Sequence, residues 1–167
     1  MFLLVSFHTI FIIVNFFQVT GRGYPDANTR SFVNALWHSL NIPILVLVDC
    51  DPHGIEILSV YRHGSLSLSY NSSNLVVPQI RWFGLLVSDI LDFNLKDSLI
   101  PLNDSDKKKI KDLYSRPYIK QNSDWAKQLQ SLESMGFKAE IQSLAQHSPT
   151  FLLETYIPIK LRLGGWI

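Results

Sequence analysis

Residues 44–54, Ile-Leu-Val-Leu-Val-Asp-Cys-Asp-Pro-His-Gly, decide the fold of this chain. Residues 44–48 form a continuous apolar run of strand length, which is typical of a strand covered on both faces in a parallel sheet. Asp49 and Asp51 follow directly, and in open α/β sheets ligands bind beyond the carboxyl ends of the strands. The stretch therefore predicts a buried strand that ends in an acidic loop.

The sequence before this strand predicts a βαβ unit. Residues 14–19 are apolar and rich in β-formers, as in a buried strand. Residues 28–40 carry apolar side chains at helical spacing, and Asn41-Ile42-Pro43 should end that helix. A strand, a helix and a second strand in this order predict a parallel sheet.

The sequence after the acidic loop predicts further strands and then mostly helices. A helix over 55–61 should stop at His63-Gly64, and strands are expected at 65–70, 75–77 and 80–84. The second half favours helices at 85–92, 104–114, 123–135, 138–147 and 149–157, with Pro158 ending the last. The apolar tail 159–167 is expected to dock on the domain. The expected fold is α/β with a helical C-terminal part.

Composition narrows the function classes. The chain has 167 residues, of which 47% are hydrophobic and 17% charged, so one folded domain is expected. Its net charge of +1 excludes DNA binding driven by the charge of the whole chain. The single cysteine, Cys50, excludes an internal disulfide and a cysteine-rich zinc site.

The spacing of Asp49 and Asp51 favours a divalent cation. At positions i and i+2 both carboxylates can leave a strand on the same side, where they repel each other unless a cation or proton intervenes. Mg²⁺ prefers oxygen ligands and is usually held by one or two carboxylates together with phosphate oxygens. The alternative is a solvated turn at the strand end, because Asp and Pro are common turn residues.

Several motifs together resemble one protein family. VDCDPHGIEILSVYRHGS at 48–65 and LVVPQIRWFGLLVSDI at 75–90 look like the Toprim domain of the topoisomerase VI A-type family. The resemblance continues through TGRGYPDANTR at 20–30, RPYI at 116–119, KAEIQSL at 138–144 and YIPIKL at 156–161. The ending GGWI at 164–167 favours the meiotic branch of the family, which makes the double-strand breaks that initiate recombination.

The resemblance implies a Toprim (Rossmann-like) parallel-sheet domain with a helical C-terminal extension. In the family a winged-helix domain carries a tyrosine that attacks DNA and becomes 5′-linked to it. The Toprim domain binds Mg²⁺ through a glutamate on its first strand and the two aspartates of a DxD motif. By motif match these aspartates are Asp49 and Asp51, and His53 belongs to the same loop.

The resemblance also implies where such a protein acts and with what. The expected setting is the nucleus, on chromosomes. The expected partners are DNA, other meiotic break proteins and a topoisomerase VI B-like subunit. The full-length family protein is expected to be a homodimer.

The sequence departs from the family pattern at its start. Residues 1–15 contain no charged residue and stand where the glutamate strand is expected, so we interpret 1–18 as a non-family segment that completes or precedes a strand. Residues 19–167 are the expected Toprim domain with its C-terminal helices. A signal peptide or membrane anchor at the N-terminus is an alternative. Glu56 is a weak candidate to replace the missing glutamate.

The expected nucleophile is missing as well. None of the six tyrosines lies in the family's tyrosine motif. We therefore expect a fragment of a DNA-cleaving enzyme that does not cleave DNA by itself. The alternative is a non-catalytic module that binds DNA or a partner. Other Toprim enzymes, such as primases or nucleases, are disfavoured by DPHG at 51–54 and IRWFGL at 80–85.

Three residues are candidates for DNA contact. Arg22 and Arg30 flank a glycine-rich loop and could meet phosphates, although such arginines are often ordinary surface residues. His53 could act as an acid, a base or a hydrogen-bond donor to phosphate beside the aspartates. Residues 104–120 carry six basic and three acidic side chains, which form either a modest DNA-contacting patch or a solvated helix face.

Overall fold

The computed structural model describes residues 2–6, 16–21, 23–64 and 73–167. The strand expected at 65–70 and the candidate Arg22 lie outside the described residues. In the part that is described, no helix is long and apolar enough to cross a membrane.

A mixed four-stranded sheet lies at the centre of the domain. Its strands are β1 (Phe2–Ser6), β2 (Phe16–Thr20), β3 (Ile44–Leu47) and β4 (Arg81–Gly84), in the order β2-β1-β3-β4. β3 and β4 are parallel, whereas β1 is antiparallel to both of its neighbours. β2 and β3 therefore run in the same direction, as the predicted βαβ unit requires, but β1 lies between them.

Helices α1 (Ala27–Leu40) and α2 (Pro52–His63) follow β2 and β3. Asp26 begins α1 by accepting a hydrogen bond from Thr29 N at 2.7 Å, and Asn41 ends it in the left-handed conformation with φ of 50°. α2 begins earlier than predicted because Asp51 caps it and Pro52 suits its first turn.

The second half of the chain is mostly helical. It contains α3 (Val87–Asp92), α4 (Asp104–Ser115), α5 (Pro117–Gln121), α6 (Ser123–Met135) and α7 (Ile157–Leu163). β5 (Ile100–Pro101) and β6 (Phe137–Lys138) form a small antiparallel pair. Short 3₁₀ helices span Ser73–Leu75, Lys96–Ser98 and Ile141–Gln146, and a π-helical turn spans Leu152–Tyr156.

Three predicted elements are wrong. Residues 75–77 do not form a strand: Leu75 ends a 3₁₀ helix, and the carbonyls of Leu75 and Val76 accept hydrogen bonds from side chains of α1. The helix expected at 138–147 is replaced by β6 and a 3₁₀ helix. Pro158 does not end a helix, because helical backbone continues from the π-helical turn through Tyr156 and Ile157 into α7.

The core joins the sheet to the C-terminal helices. Trp82, Phe83, Trp125 and Tyr156 are among its largest fully buried side chains. The tail is docked as predicted: Trp82 N donates to Ile167 O at 2.7 Å, and Ile167 N donates to Trp82 O at 3.0 Å.

A buried polar cluster holds α7 against the end of β4. Asp89 accepts hydrogen bonds from Lys160 Nζ at 2.8 Å and from Tyr156 Oη at 2.6 Å. It also accepts the backbone N–H of Leu86 at 2.8 Å. Gly84 packs directly on this cluster, with no room for a larger residue.

Gly84→Ala is expected to destabilise the domain by about 1–3 kcal/mol, the usual cost of overpacking a core. The added Cβ would collide with Tyr156 Oη and would lie 3.1 Å from Asp89 Oδ2. Denaturant unfolding measures the change. Because Tyr156→Phe removes the colliding oxygen, the glycine substitution should cost less in that background. An equal cost in both backgrounds would contradict this packing.

Candidate functional site

The acidic loop after β3 is held from two sides by backbone hydrogen bonds. Val48 N donates to Gly84 O at 2.7 Å, and Leu85 N donates to Val48 O at 2.6 Å, on the β4 side. On the other side Cys50 and Ala139 exchange antiparallel hydrogen bonds of 2.8 and 3.2 Å. Cys50 is buried, and burial raises the pKa of its thiol. Its position between the aspartates is therefore structural.

Asp49 and Asp51 are both half-buried, and each has one carboxylate oxygen fixed by a backbone N–H. Asp49 Oδ1 accepts from Ile141 N at 2.8 Å. Asp51 Oδ1 accepts from Gly54 N at 2.6 Å as the cap of α2. Gly54 is required here because a Cβ would collide with the carbonyl of Asp49. The described residues form no further hydrogen bond to either carboxylate, so the second oxygens are available to a ligand.

The electrostatics of this pair favour a bound cation. Burial raises the pKa of Asp51 above its ordinary value, and the negative charge of Asp49 raises it further. The Gly54 N–H, His53 and Lys138 act in the opposite direction without cancelling the rise. Two oxygen donors that repel each other at the carboxyl end of a buried strand match the ligand preference of Mg²⁺.

A third carboxylate does not join them. Within the described ranges, no group of three or more His, Cys, Asp or Glu side chains could hold a metal ion together. Glu56, the weak candidate, is engaged by Lys109 Nζ at 2.8 Å and by the Tyr24 hydroxyl. β1, which lies beside β3, has the sequence FLLVS and contains no acid.

A second ion-pair network lies beside the loop. Asp106, 1% exposed, forms an ion pair with Lys138 Nζ at 2.9 Å, and its other oxygen lies 3.7 Å from His53 Nε2. Burial by itself would raise the pKa of Asp106, but hydrogen bonds from Lys138 and Asn103 N lower it below its ordinary value. The network lies near the acidic loop, since the charges of His53 and Lys138 also lower the pKa of Asp51.

The sequence reasoning missed Asp106 and Lys138 as neighbours of the site. Asn103 and Asp106 do carry the reciprocal capping pattern at the start of α4. That pattern predicts a helix start and gives no indication that Asp106 reaches α2 and β6.

The structure argues against Arg30 as a DNA contact. Arg30 is 2% exposed, and its Nε donates to Leu75 O at 3.1 Å. Asn34, one turn later, donates to Val76 O at 2.7 Å. Arg30 therefore anchors α1 to the segment before β4, and its guanidinium is withdrawn from the surface.

The basic patch of residues 104–120 is smaller than the sequence suggests. Lys109 pairs with Glu56, and Arg116 pairs with Asp112 at 2.7 Å. Lys107 lies 3.9 Å from Asp104. Within the described structure, Lys108, Lys111 and Lys120 are exposed and form no ion pair.

A cavity of about 310 Å³ opens next to Asp49. Apart from Asp49 and Gln142 its lining is apolar, and it comes from residues 141–152. The surface at this edge of the sheet is therefore concave, and Asp49 is one of the residues that line it.

Comparison with known proteins gives one family match. The family model for the Toprim domain shared by Spo11 and the A-type chain of topoisomerase 6 matches residues 7–161. This match confirms the family resemblance and the α/β fold class read from the sequence.

Curated proteins of two kinds are similar to this chain. Meiotic recombination protein SPO11 of Mus musculus is 49% identical over 151 residues, which cover 90% of this chain and 38% of that protein. The A3 chain of DNA topoisomerase 6 from Oryza sativa subsp. indica is 41% identical, over 89% of this chain and 34% of that protein. The A-type chain of type 2 DNA topoisomerase 6 from Aeropyrum pernix is 34% identical, over 89% of this chain and 41% of that protein. The chain spans about two fifths of the length of these relatives.

Asp106→Asn is expected to destabilise the domain by about 2 kcal/mol at neutral pH, because Lys138 loses a charged hydrogen-bond partner. The pKa of Asp106 is lowered in the folded state, so its contribution is present above the unfolded-state pKa and is lost as the pH falls through the folded-state value. Thermal unfolding from neutral pH to about pH 3 should therefore show the two proteins converging in acid.

Asp112→Asn is the matched control for this experiment. Asp112 pairs with Arg116 on the same helix, but its side chain is 43% exposed, so its removal should change stability little. The assigned charge pairing would be incorrect if the difference in unfolding temperature between Asp106→Asn and the wild type stayed constant or widened in acid.

Proposed function

The chain belongs to the family of Spo11 and the topoisomerase 6 A-type chain as its Toprim domain, and from this premise we propose that it is the Mg²⁺-binding part of a protein that makes meiotic DNA double-strand breaks. DNA as the substrate follows from the family names, and meiosis from the names of the SPO11 relatives. Cleavage itself is proposed for the whole protein, of which this chain matches about two fifths.

The observation that carries this proposal is the pair of fixed carboxylates at the end of β3. Toprim domains generally bind Mg²⁺, and Asp49 and Asp51 are the donors that would hold it here, together with phosphate oxygens of DNA. The bound ion would stabilise the negative charge that develops on the phosphodiester during strand transfer. A cavity of about 310 Å³ adjoins Asp49 at this edge of the sheet.

The neighbouring groups have positioning roles in this proposal. Ile141 N–H and Gly54 N–H each hold one oxygen of an aspartate, which would leave the second oxygens for the metal ion. His53 lies at the same edge, 3.7 Å from Asp106, and its imidazole would donate a hydrogen bond to a phosphate oxygen. Arg22 remains a predicted phosphate contact, whereas the burial of Arg30 removes it from this role.

We propose that the nucleophile is none of the six tyrosines of this chain but a tyrosine in another part of the full-length protein. Each of the five tyrosines in the described ranges has a raised pKa, which disfavours the phenolate. Burial is the first cause in every case, and Tyr114, with a pKa raised to about 12, also donates to Glu133. The Toprim domain would thus supply the metal to a reaction whose attacking hydroxyl comes from another part of the protein.

The wider setting follows from the same premise. We place the protein on chromosomes in the nucleus, as a homodimer that acts with other meiotic break proteins and a topoisomerase VI B-like subunit. A second candidate, a non-catalytic DNA- or partner-binding module, is favoured by one observation: no third carboxylate accompanies the aspartates in the described structure.

Mn²⁺ binding tests the metal site, since Mn²⁺ takes the same oxygen ligands and is observed directly by electron paramagnetic resonance. Asp49→Asn and Asp51→Asn are each expected to weaken binding at least about tenfold, because a charged ligand is replaced by a neutral one. Both changes preserve the fold: an amide oxygen can still accept the Ile141 or Gly54 N–H, and Asn is a good helix cap.

Asp124→Asn is the control for general loss of negative charge. Asp124 is an acidic side chain on α6, 57% exposed and paired with Lys127. Its substitution should leave Mn²⁺ affinity unchanged. Wild-type affinity in the Asp49 and Asp51 variants, or an equal loss in the control, would rule out the proposed site and favour the non-catalytic module.

A further inference from the structure

A second polar cavity lies at the far end of α2. This helix begins beside Asp51 and ends at His63, so its 12 residues separate the two ends by about 18 Å. The cavity has a volume of about 330 Å³ and is lined by Arg62, His63, Tyr118, Gln121, Asn122 and Ser123. All six side chains can donate a hydrogen bond, and none is acidic.

Arg62 lines this cavity, and the charge of Arg81 acts on it. Within the described residues neither Arg62 nor Arg81 forms an ion pair with a carboxylate. Burial lowers the pKa of the Arg62 guanidinium, and the positive charge of Arg81 lowers it further. Asp124, the acidic residue next in sequence to the cavity, is engaged by Lys127 at 3.5 Å. The surroundings of Arg62 therefore carry an excess of positive charge.

Aromatic rings fix the cavity wall in place. The Arg62 guanidinium lies over the Trp125 ring, 5.3 Å from its centroid. His63 stacks on Tyr118 with ring centroids 5.1 Å apart and an angle of 14° between the planes. The His63 and Trp125 rings also pack edge to face, with their centroids 5.9 Å apart. Side chains held in this way lose little conformational entropy when a ligand binds.

We propose that this cavity binds a phosphate monoester, such as a phosphoserine, carried by a protein partner. The planar guanidinium of Arg62 matches two phosphate oxygens, and Arg81 supplies a second positive charge for a group that carries between about −1.5 and −2 near neutral pH. His63, Gln121 and Asn122 would donate the remaining hydrogen bonds.

The geometry favours a phosphorylated side chain over DNA. A concave polar cavity can surround a phosphate group at the tip of a side chain, whereas a phosphodiester is flanked by sugars on both sides and carries one charge. The cavity also lies at the opposite end of α2 from Asp49 and Asp51, away from the edge where DNA is proposed to bind. The inference rests on Arg62, Arg81 and the cavity, and it is independent of the metal site.

NMR titration of the isotope-labelled chain tests the proposal. The probe is a short acetylated peptide of glycine and alanine around one phosphoserine, compared with the same peptide carrying serine and with a short DNA duplex. The phosphopeptide should shift the indole N–H signal of Trp125, whose Nε1 is buried and has no hydrogen-bond partner in the described part of the chain. The serine peptide should leave that signal unchanged.

Two substitutions and one control identify the residues. Arg62→Gln and Arg81→Gln should each weaken the phosphopeptide at least about tenfold, the usual effect of losing a charged hydrogen bond. Arg81 is exposed, so its variant folds even if Arg62→Gln disturbs the packing on Trp125. Arg162→Gln removes an exposed arginine from α7 and should have no effect.

Three outcomes would overturn the proposal. One is the absence of any Trp125 shift at millimolar phosphopeptide. Another is an equal loss of affinity in Arg162→Gln, which would indicate attraction by net charge alone. The third is a Trp125 shift with the DNA duplex at equal or lower concentration, which would assign the cavity to nucleic acid. Mn²⁺ binding measured on the same samples shows separately whether the metal site is intact.

Discussion

The pairing of the acidic loop with residues 139–141 is the contact on which the candidate site depends. Cys50 and Ala139 exchange two backbone hydrogen bonds, and Ile141 N–H holds Asp49 across 92 positions of sequence. Without this segment the loop would be fixed only on its β4 side, and the Asp49 carboxylate would be free to rotate. The site therefore forms only when the second half of the chain has folded onto the sheet.

Ion pairs link separate elements at three further places, and one of them, Lys109 with Glu56, joins the two halves of the chain. Lys160 pairs with Asp89 next to Gly84 of β4, and Lys138 pairs with Asp106 beside the acidic loop. Lys109 pairs with Glu56 on α2. Removing one partner of a buried pair leaves an uncompensated charge, which costs more than the intact pair contributes. These pairs consequently constrain how the helices sit on the sheet.

Local patterns predicted much of this arrangement, and long-range contacts account for the rest. The apolar run 44–48, the aspartates after it and the helices at 104–114 and 123–135 are local signals, and the structure bears them out. The insertion of β1 between β2 and β3 is a matter of strand order, which apolar composition does not encode. Arg30 is buried because carbonyls 45 positions away accept its hydrogen bond, and no pattern around it indicates that acceptor.

α2 explains how one small domain carries opposite charges at its two ends. Its N-terminus, with partial positive charge, lies against Asp51 and favours the carboxylates there. Its C-terminus carries partial negative charge and favours Arg62 and His63, but it would also repel an anion. The first turn of α6 begins at Ser123 in the same cavity and opposes that repulsion with its own positive end. Because the two helix ends act in opposite directions, the positive charge proposed for the cavity comes from Arg62 and Arg81, which pair with no carboxylate of the described residues.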